Sequence, residues 1–442
     1  MEIKELQDII QQNGVVGAGG AGFPTYMKLT DKANTILMNC AECEPLLKLH
    51  RQLLEKHAYE IMKTFHMIQE TVGASEAIIG IKKSYVQTIN ALNQHIEEFP
   101  GMRLHLLDEV YPMGDEVVLI YEATGRVVRP GGLPIEQGVA VFNVETVYNV
   151  YRAVEEKQSV TDKYVSVVAE VSDPVTVRVP LGCTLEEVVA QAGNTTVKDP
   201  VYFVGGPMMG RIGNGSDPVT KTTNAILVLP KDHLIVAKKQ RTSSIDLKRA
   251  ASICCQCNTC TDLCPRHNLG HPIDPAKFMR AAANQDFRDL NPYIDASFCS
   301  SCGVCEMYSC PQSLAPRSLL ADMKGGLRKA GIRPPQGVQP KPVQESREYR
   351  KVPEERLMAR LGLTKYDKDA PLHEDLVQVK KVKILLSQHI GAPAQAMVKA
   401  GDMVTRGQMV AQPAQGLSVG IHASVNGKVT EVTDRYIIIA VN

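Results

Sequence analysis

Apolar residues at Ile3, Leu6, Ile9 and Ile10 fall on one helical face, and that pattern breaks at a glycine-rich stretch between Gly14 and Gly22. Strand-like apolar runs then recur at Thr35 to Met38, Ala77 to Ile81, Arg103 to Leu107 and Val139 to Val144, with helical spacing between them. That rhythm predicts an α/β layer. From Tyr164 to Pro230 the period shortens. Tyr164 to Ala169 and Val175 to Val179 half-alternate as strands, Thr184 to Gly193 predicts a helix with Thr184 as N-cap, and Gly205 to Gly210 predicts a tight hairpin corner. Residues 331–350 are rich in proline and charge and predict a linker, followed by a short helix from Glu354 to Leu361. The tail returns to short alternating strands with turns at Gly401-Asp402 and Asn426-Gly427. These breaks divide the chain at 1–155, 156–235, 240–330, 331–372 and 373–442.

Composition narrows the function. A chain of 442 residues supports several domains, and 44% hydrophobic residues fill their cores without tryptophan. Lys plus Arg number 49 against 48 Asp plus Glu, so no basic field favours nucleic acid. No apolar run approaches the ~20 residues that a transmembrane helix needs. With no signal-peptide pattern at the start, the expected location is a reducing cytoplasm.

Eight of the twelve cysteines form two runs, Cys254-x2-Cys257-x2-Cys260-x3-Cys264-Pro265 and Cys299-x2-Cys302-x2-Cys305-x4-Cys310-Pro311. Three cysteines two residues apart wrap a loop around a cubane, and in two-cluster ferredoxins the cysteine before the proline ligates the other cluster. On that scheme one 4Fe-4S cluster takes Cys254, Cys257, Cys260 and Cys310, and the second takes Cys299, Cys302, Cys305 and Cys264. Structural zinc favours paired CxxC or added histidines, and a disulfide framework suits short secreted chains. Cys255 reads as non-ligating, since its side chain points away from the cluster its neighbour holds. The x4 gap before Cys310, against x3 before Cys264, predicts two unequal clusters.

The glycine loop is a second chemical signal. Backbone N–H groups there can approach a phosphate, although the loop lacks the Gly-Lys-Ser/Thr of a P-loop and, alone, is also a plain structural turn. Four more segments fall after strands, where open α/β sheets bind ligands. They are Asn39 to Pro45, Gly80 to Lys83, Tyr111 to Glu116 and Asn143 to Thr146. Cys40 and Cys43 read as small buried residues beside a cofactor rather than a redox pair.

Gly17 to Thr25, Asn39 to Pro45, Tyr111 to Glu116 and Asn143 to Thr146 together resemble the flavin-bearing, NADH-oxidising subunit of respiratory complex I. Its relatives include the C subunit of Rnf-type complexes and the cobalamin reductases of propanediol-utilisation microcompartments. The resemblance implies an FMN/NADH-binding α/β domain over 1–155, a β-grasp domain over 156–235, a two-cluster ferredoxin-like helical domain over 240–330, a linker with docking helix over 331–372, and a barrel-sandwich hybrid over 373–442. It assigns Gly17, Gly19, Gly20, Ala21, Gly22 and Phe23 to the flavin and nucleotide loop. Asn39, Glu42 and Glu44 go to the isoalloxazine or ribityl side, with Glu42 and Glu44 tuning the flavin and positioning the nicotinamide. Tyr111, Gly114, Glu116, Asn143 and Thr146 close the pocket, and Lys82 is a phosphate or nicotinamide contact. Ala18 stands where the complex I loop has arginine, so one charge contact is missing. Lys428 lacks the context of a swinging arm, so no attached group is expected.

The C-terminal position of the barrel-sandwich segment and the wording of both loops point to the cobalamin-reductase branch. That implies FMN, two 4Fe-4S clusters, NADH as donor and cobalamin as acceptor, with adenosyltransferase and microcompartment shell proteins as partners, and a possible homo-oligomer. An Rnf-like NADH:ferredoxin subunit and a non-catalytic electron-carrying microcompartment protein are the alternatives. No Asp-x-His-x-x-Gly corrinoid motif is present, which leaves His267 and His271 as candidate lower ligands.

Overall fold

A computed structural model describes residues 1–441; Asn442, the last residue of the expected C-terminal domain, lies outside them. The α/β layer is built on β1 (Thr35–Cys40), β2 (Glu76–Lys82), β3 (Met102–Leu107) and β5 (Val139–Asn143), all parallel in the order β3-β2-β1-β5. The short strand β4 (Val110–Tyr111) stands apart from this sheet. Helices α1 (Ile3–Gln12), α2 (Leu49–Lys56), α3 (Ala58–Val72), α4 (Val86–Asn93), α5 (Glu116–Thr124) and α6 (Val144–Val154) surround it. Ile36 and Met38 of β1 pack with Phe65 and Phe142, while Leu37 joins Leu119 and Val141 on the opposite face. Burial on both faces is why this strand reads as an unbroken apolar run. Because the strands run parallel, Asn39, Lys82 and Asn143 lie at one edge of the sheet.

The second unit is a six-stranded mixed sheet that includes Asp162–Ala169, Val175–Pro180 and Ala225–Leu229. Its helix, Leu185–Val189, begins at a capping box in which Thr184 and Glu187 each satisfy the other's backbone amide. It is shorter than the apolar pattern predicts, because the last turn tightens into a 3-10 helix at Ala190–Ala192. Gly205 to Gly210 connects the hairpin strands Val201–Val204 and Arg211–Gly213, as the turn signal predicts. The edge strand, Leu372–Leu376, pairs parallel with Val175–Pro180, so the residues around the expected start of the C-terminal domain complete this sheet.

Helices Ser243–Ile253, Pro275–Ala283 and Pro316–Lys329 frame the two cysteine loops. The segment after them is a strap rather than a free linker. The Lys341 amide donates to the Gly270 carbonyl at 2.8 Å, Val352 pairs with Tyr111 of β4, and Leu357 and Leu361 of helix Glu354–Leu361 enter the core beside Leu119 and Leu269. Proline and charge keep residues 332–344 irregular without preventing docking. The tail forms two small sheets, led by Tyr436–Val441 and Met409–Gln412, over a core of Val382, Ile384, Val410, Val429, Ile437 and Ile439.

Candidate functional site

The glycine loop lies where the C-terminal edge of the parallel sheet meets α6. The Gly17 amide donates to the Phe23 carbonyl at 2.9 Å and Val16 bridges to Pro24, which closes the loop into a tight bend. The Ala18 amide donates to the Thr146 hydroxyl at 2.9 Å, and the Asn143 side chain caps α6 through the Thr146 amide. A Cβ on Gly19 would stand 2.4 Å from Asn143 Nδ2 and would have to displace that side chain from its cap on α6, while Gly20 faces open space. Gly19, Gly20 and Ala21 are exposed, and their amides find no backbone acceptor among the described residues. Phe23 is 36% exposed at the rim. A loop of free amides with an open aromatic face fits a flavin phosphate and ring system.

The neighbouring segments are knitted to one another. Asn39 Nδ2 donates to the Gly114 carbonyl at 2.9 Å, and its Oδ1 accepts from the Ala41 amide at 3.1 Å. The Gly114 amide donates to Cys43 Sγ at 3.1 Å. Glu42, in a left-handed conformation at φ 34°, accepts from the His50 and Arg51 amides at 2.8 and 3.3 Å and so caps the start of α2. Glu44 accepts from the Met208 and Met209 amides at 2.9 and 3.0 Å, anchoring the Gly205 to Gly210 hairpin to the flavin-type site. Burial pushes the Glu44 carboxyl up to about 7 despite those two amides. Both carboxylates expected to meet the flavin are thus held by backbone donors.

Lys82 is buried. Its ammonium bonds Glu354 of the strap helix and lies 3.4 Å from Glu109, and these two carboxylates outweigh burial and keep it charged. It is therefore occupied by acids of this chain where a phosphate or nicotinamide contact is expected. Glu116 starts α5 and stands 3.9 Å from Lys28.

Lys28 is a residue that sequence reasoning missed. Its ammonium donates to the Val141 carbonyl at 2.6 Å, lies about 6 Å from the Phe23 and Phe142 ring centroids, and has its pKa lowered by burial. The GFPT wording that ends the loop three residues earlier was the available signal. His50, 3.1 Å from Asn143 Nδ2, was also missed and carries no such signal.

The cysteines gather around two cavities. One is lined by Cys254, Cys257, Cys260 and Cys310, with Cys255 also at its border; the other is lined by Cys264, Cys299, Cys302 and Cys305. This is the cross-paired grouping of two-cluster ferredoxins, and a set of four thiolates around each cavity fits a cubane. The extra residue before Cys310 is taken up by a π-helical turn, Cys305–Ser309. Cys257 and Cys255 are exposed, whereas Cys264 and Cys305 are buried, so the two cavities differ in access to solvent. Amides of Ser301 and Leu314 donate to Cys299 and Cys310 sulfurs at 3.3 Å each.

The buried cavity adjoins the flavin-type site. Tyr111 donates its hydroxyl to the Cys302 carbonyl at 2.6 Å. Asp115 caps α5 and pairs at 2.9 Å with Arg266, two residues after Cys264. Met208, bound by Glu44, lies beside Gly303, where an added Cβ would stand 3.4 Å from the Met208 carbonyl oxygen. His271 is buried against the Val128 carbonyl at 2.9 Å, and burial with Arg266 lowers its pKa to about 4, while His267 bonds the Ile273 carbonyl at 2.9 Å. Each candidate lower ligand thus has a ring nitrogen engaged within the fold.

Comparisons with known proteins agree with this layout. Residues 10–152 match the Nuo51 FMN-binding domain, residues 253–315 a 4Fe-4S dicluster domain, and residues 364–441 the RnfC barrel-sandwich hybrid domain. Cobalamin reductase PduS of Salmonella typhimurium is 42% identical over 435 residues, 98% of this chain and 96% of that protein. Cobalamin reductase PduS of Citrobacter freundii is 41% identical over 438 residues, 99% of this chain and 96% of that one. An NAD+-reducing NiFe-hydrogenase, in its H2-reduced state, superposes with a TM-score of 0.51 at 20% identity, covering 76% of this chain and 64% of the hydrogenase chain. That likeness shows a shared fold alone.

Proposed function

The chain belongs to the cobalamin reductase PduS family, an oxidoreductase family with FMN-binding and 4Fe-4S domains, and from that premise we propose that it is an NADH-dependent reductase of cobalamin that yields cob(I)alamin. One observation carries this: the thiolate cavity of Cys264, Cys299, Cys302 and Cys305 abuts the flavin-type loops through Tyr111 and through the Asp115–Arg266 pair. Two 4Fe-4S clusters, one per cavity, follow from the two sets of four cysteines.

Bound flavin supplies what side chains lack, the ability to accept a hydride and give up electrons singly. Oxidation of one NADH to NAD+ releases two electrons and one proton, and two cob(II)alamin take one electron each. This chain's residues bind and orient. The exposed amides of Gly19, Gly20 and Ala21 would hold the phosphate end, with Gly17 and Gly22 shaping the loop behind them. Asn39, Gly114, Asn143 and Thr146 hold the loops in register, and Phe23 offers a ring face at the rim. Glu42 and Glu44 act by positioning, since backbone amides occupy them. Lys82 and Glu116 act through their ion pairs. The product would serve an adenosyltransferase within a propanediol-utilisation microcompartment, a context that the family name supports. No helix among the described residues is long and apolar enough to cross a membrane.

The test is anaerobic. Reconstituted protein, loaded with iron, sulfide and FMN by analysis, should form cob(I)alamin from cob(II)alamin when NADH is added. Fully loaded protein that oxidises NADH without forming cob(I)alamin would refute the acceptor, and protein that retains no flavin would refute the donor side.

A further inference from the structure

Lys221, from the β-grasp unit, is 2% exposed and among the largest fully buried side chains of the chain. Its ammonium donates to the Gly14 carbonyl at 2.6 Å and to the Gly420 carbonyl at 3.1 Å, and its own amide donates to Gln388 Oε1 at 3.1 Å. One lysine therefore joins three units of the fold directly behind the flavin-type loop. The same junction continues along that loop. The Ile390 amide donates to the Gly22 carbonyl at 3.1 Å, and a Cβ on Gly22 would meet Gln388, His389 and Thr222 at 3.0–3.1 Å.

The charge at this point is unbalanced. Among the described residues no carboxylate forms an ion pair with Lys221, and burial alone pulls its pKa down to about 7. The titratable groups facing it are His389 and His422 of the barrel-sandwich unit; burial, and then Lys221 in part, lowers both, so neither supplies a negative charge. From α1 and the loop it meets only carbonyls. A buried ammonium without a counter-ion is costly and tends to lose its proton, and an anion brought near restores the charged form. The loop also carries the exposed amides of Gly19 to Ala21, which find no backbone acceptor among the described residues, and between Gly14 and Thr25 it has no basic residue of its own.

We propose that Lys221 is a positioning residue for the flavin, holding the rear of the Gly17 to Phe23 loop and supplying the buried positive charge against which the FMN phosphate binds. The proposal rests on the flavin reading above. Burial lowers the pKa of the ammonium and an arriving phosphate would raise it, so cofactor binding and protonation of Lys221 are linked. At pH 8 the free phosphate is already a dianion, and the two histidines are already neutral, which leaves Lys221 as the group of this junction that changes.

The experiment uses the full chain stripped of flavin and titrated calorimetrically with FMN at pH 8, in two buffers of different ionisation enthalpy. Wild-type protein should take up a substantial fraction of a proton per FMN bound. Lys221→Met, close to lysine in length and checked for folding by circular dichroism, should take up less and bind FMN at least tenfold more weakly. Gln388→Leu, which loosens the same junction without removing the charge, should keep the proton uptake. Tight FMN binding by wild type with no proton uptake overturns the proposal even if Lys221→Met fails to fold, as does Lys221→Met with wild-type affinity and uptake. No FMN binding by wild type at all refutes the flavin reading itself.

Discussion

Glu44 carries an acid group at an unusual setting. Its carboxyl is raised from 4.5 to about 7 by burial, against the pull of the Met208 and Met209 amides. In the folded chain it therefore keeps a proton that the unfolded chain has already released. Its contribution to stability is intact below about 4.5 and is lost as pH rises through about 7. The melting temperature of flavin-free wild type should carry a downward component between those values that Glu44→Gln lacks; identical pH profiles for the two would contradict this. The residue was legible as part of the site, but its partner was not, because the Met208 and Met209 amides are 164 and 165 positions away. The same holds for Lys82, whose carboxylate partner Glu354 is 272 positions away. Residue type at a strand end announces a site, and only packing decides which neighbour answers it.

At the scale of elements, the two cysteine runs make a sharper claim. Each run supplies three thiolates to one cavity and its last cysteine to the other. Cys310→Ser should thus remove the cluster of the Cys254 run and spare that of the Cys299 run, and Cys264→Ser should do the reverse. Each variant should fall from about eight iron atoms to about four, and low-temperature electron paramagnetic resonance should show a different surviving signal in each. The same surviving signal in both variants would contradict cross-pairing. The ladder was legible because ligation by one loop demands local spacing. The π-helical turn at Cys305–Ser309 was foreshadowed only as an unequal gap, since backbone geometry does not follow from a count of residues. In the strap at 341–361 the helix Glu354–Leu361 was legible, but its docking partners were not, because they depend on Tyr111 and on the core beneath it.

Across the whole molecule, Asp162 ties the units together. Its fully buried carboxylate meets Arg152 of α6 at 2.9 Å, Arg178 at 3.0 Å and Arg406 from the barrel-sandwich unit. Burial pushes that carboxyl up, but Arg152 and Arg178 override it and hold it well below the usual range, so this contribution is present at neutral pH and survives until strongly acid conditions. Asp162→Asn leaves buried guanidinium groups short of a counter-charge and should cost about 3–5 kcal/mol, seen as a lower melting temperature and faster proteolysis between the units; an unchanged melt would contradict it. The chain's sequence by itself determined the α/β order, the flavin-type glycine loop and the eight thiolates, because strand burial, close backbone approach and cluster ligation each impose a rule on neighbouring residues. Tertiary structure alone decided that Glu44 answers to the Met208 and Met209 amides, and that Lys221 and Asp162 sit where three units meet. Those outcomes depend on contacts between distant segments, and no local pattern records them.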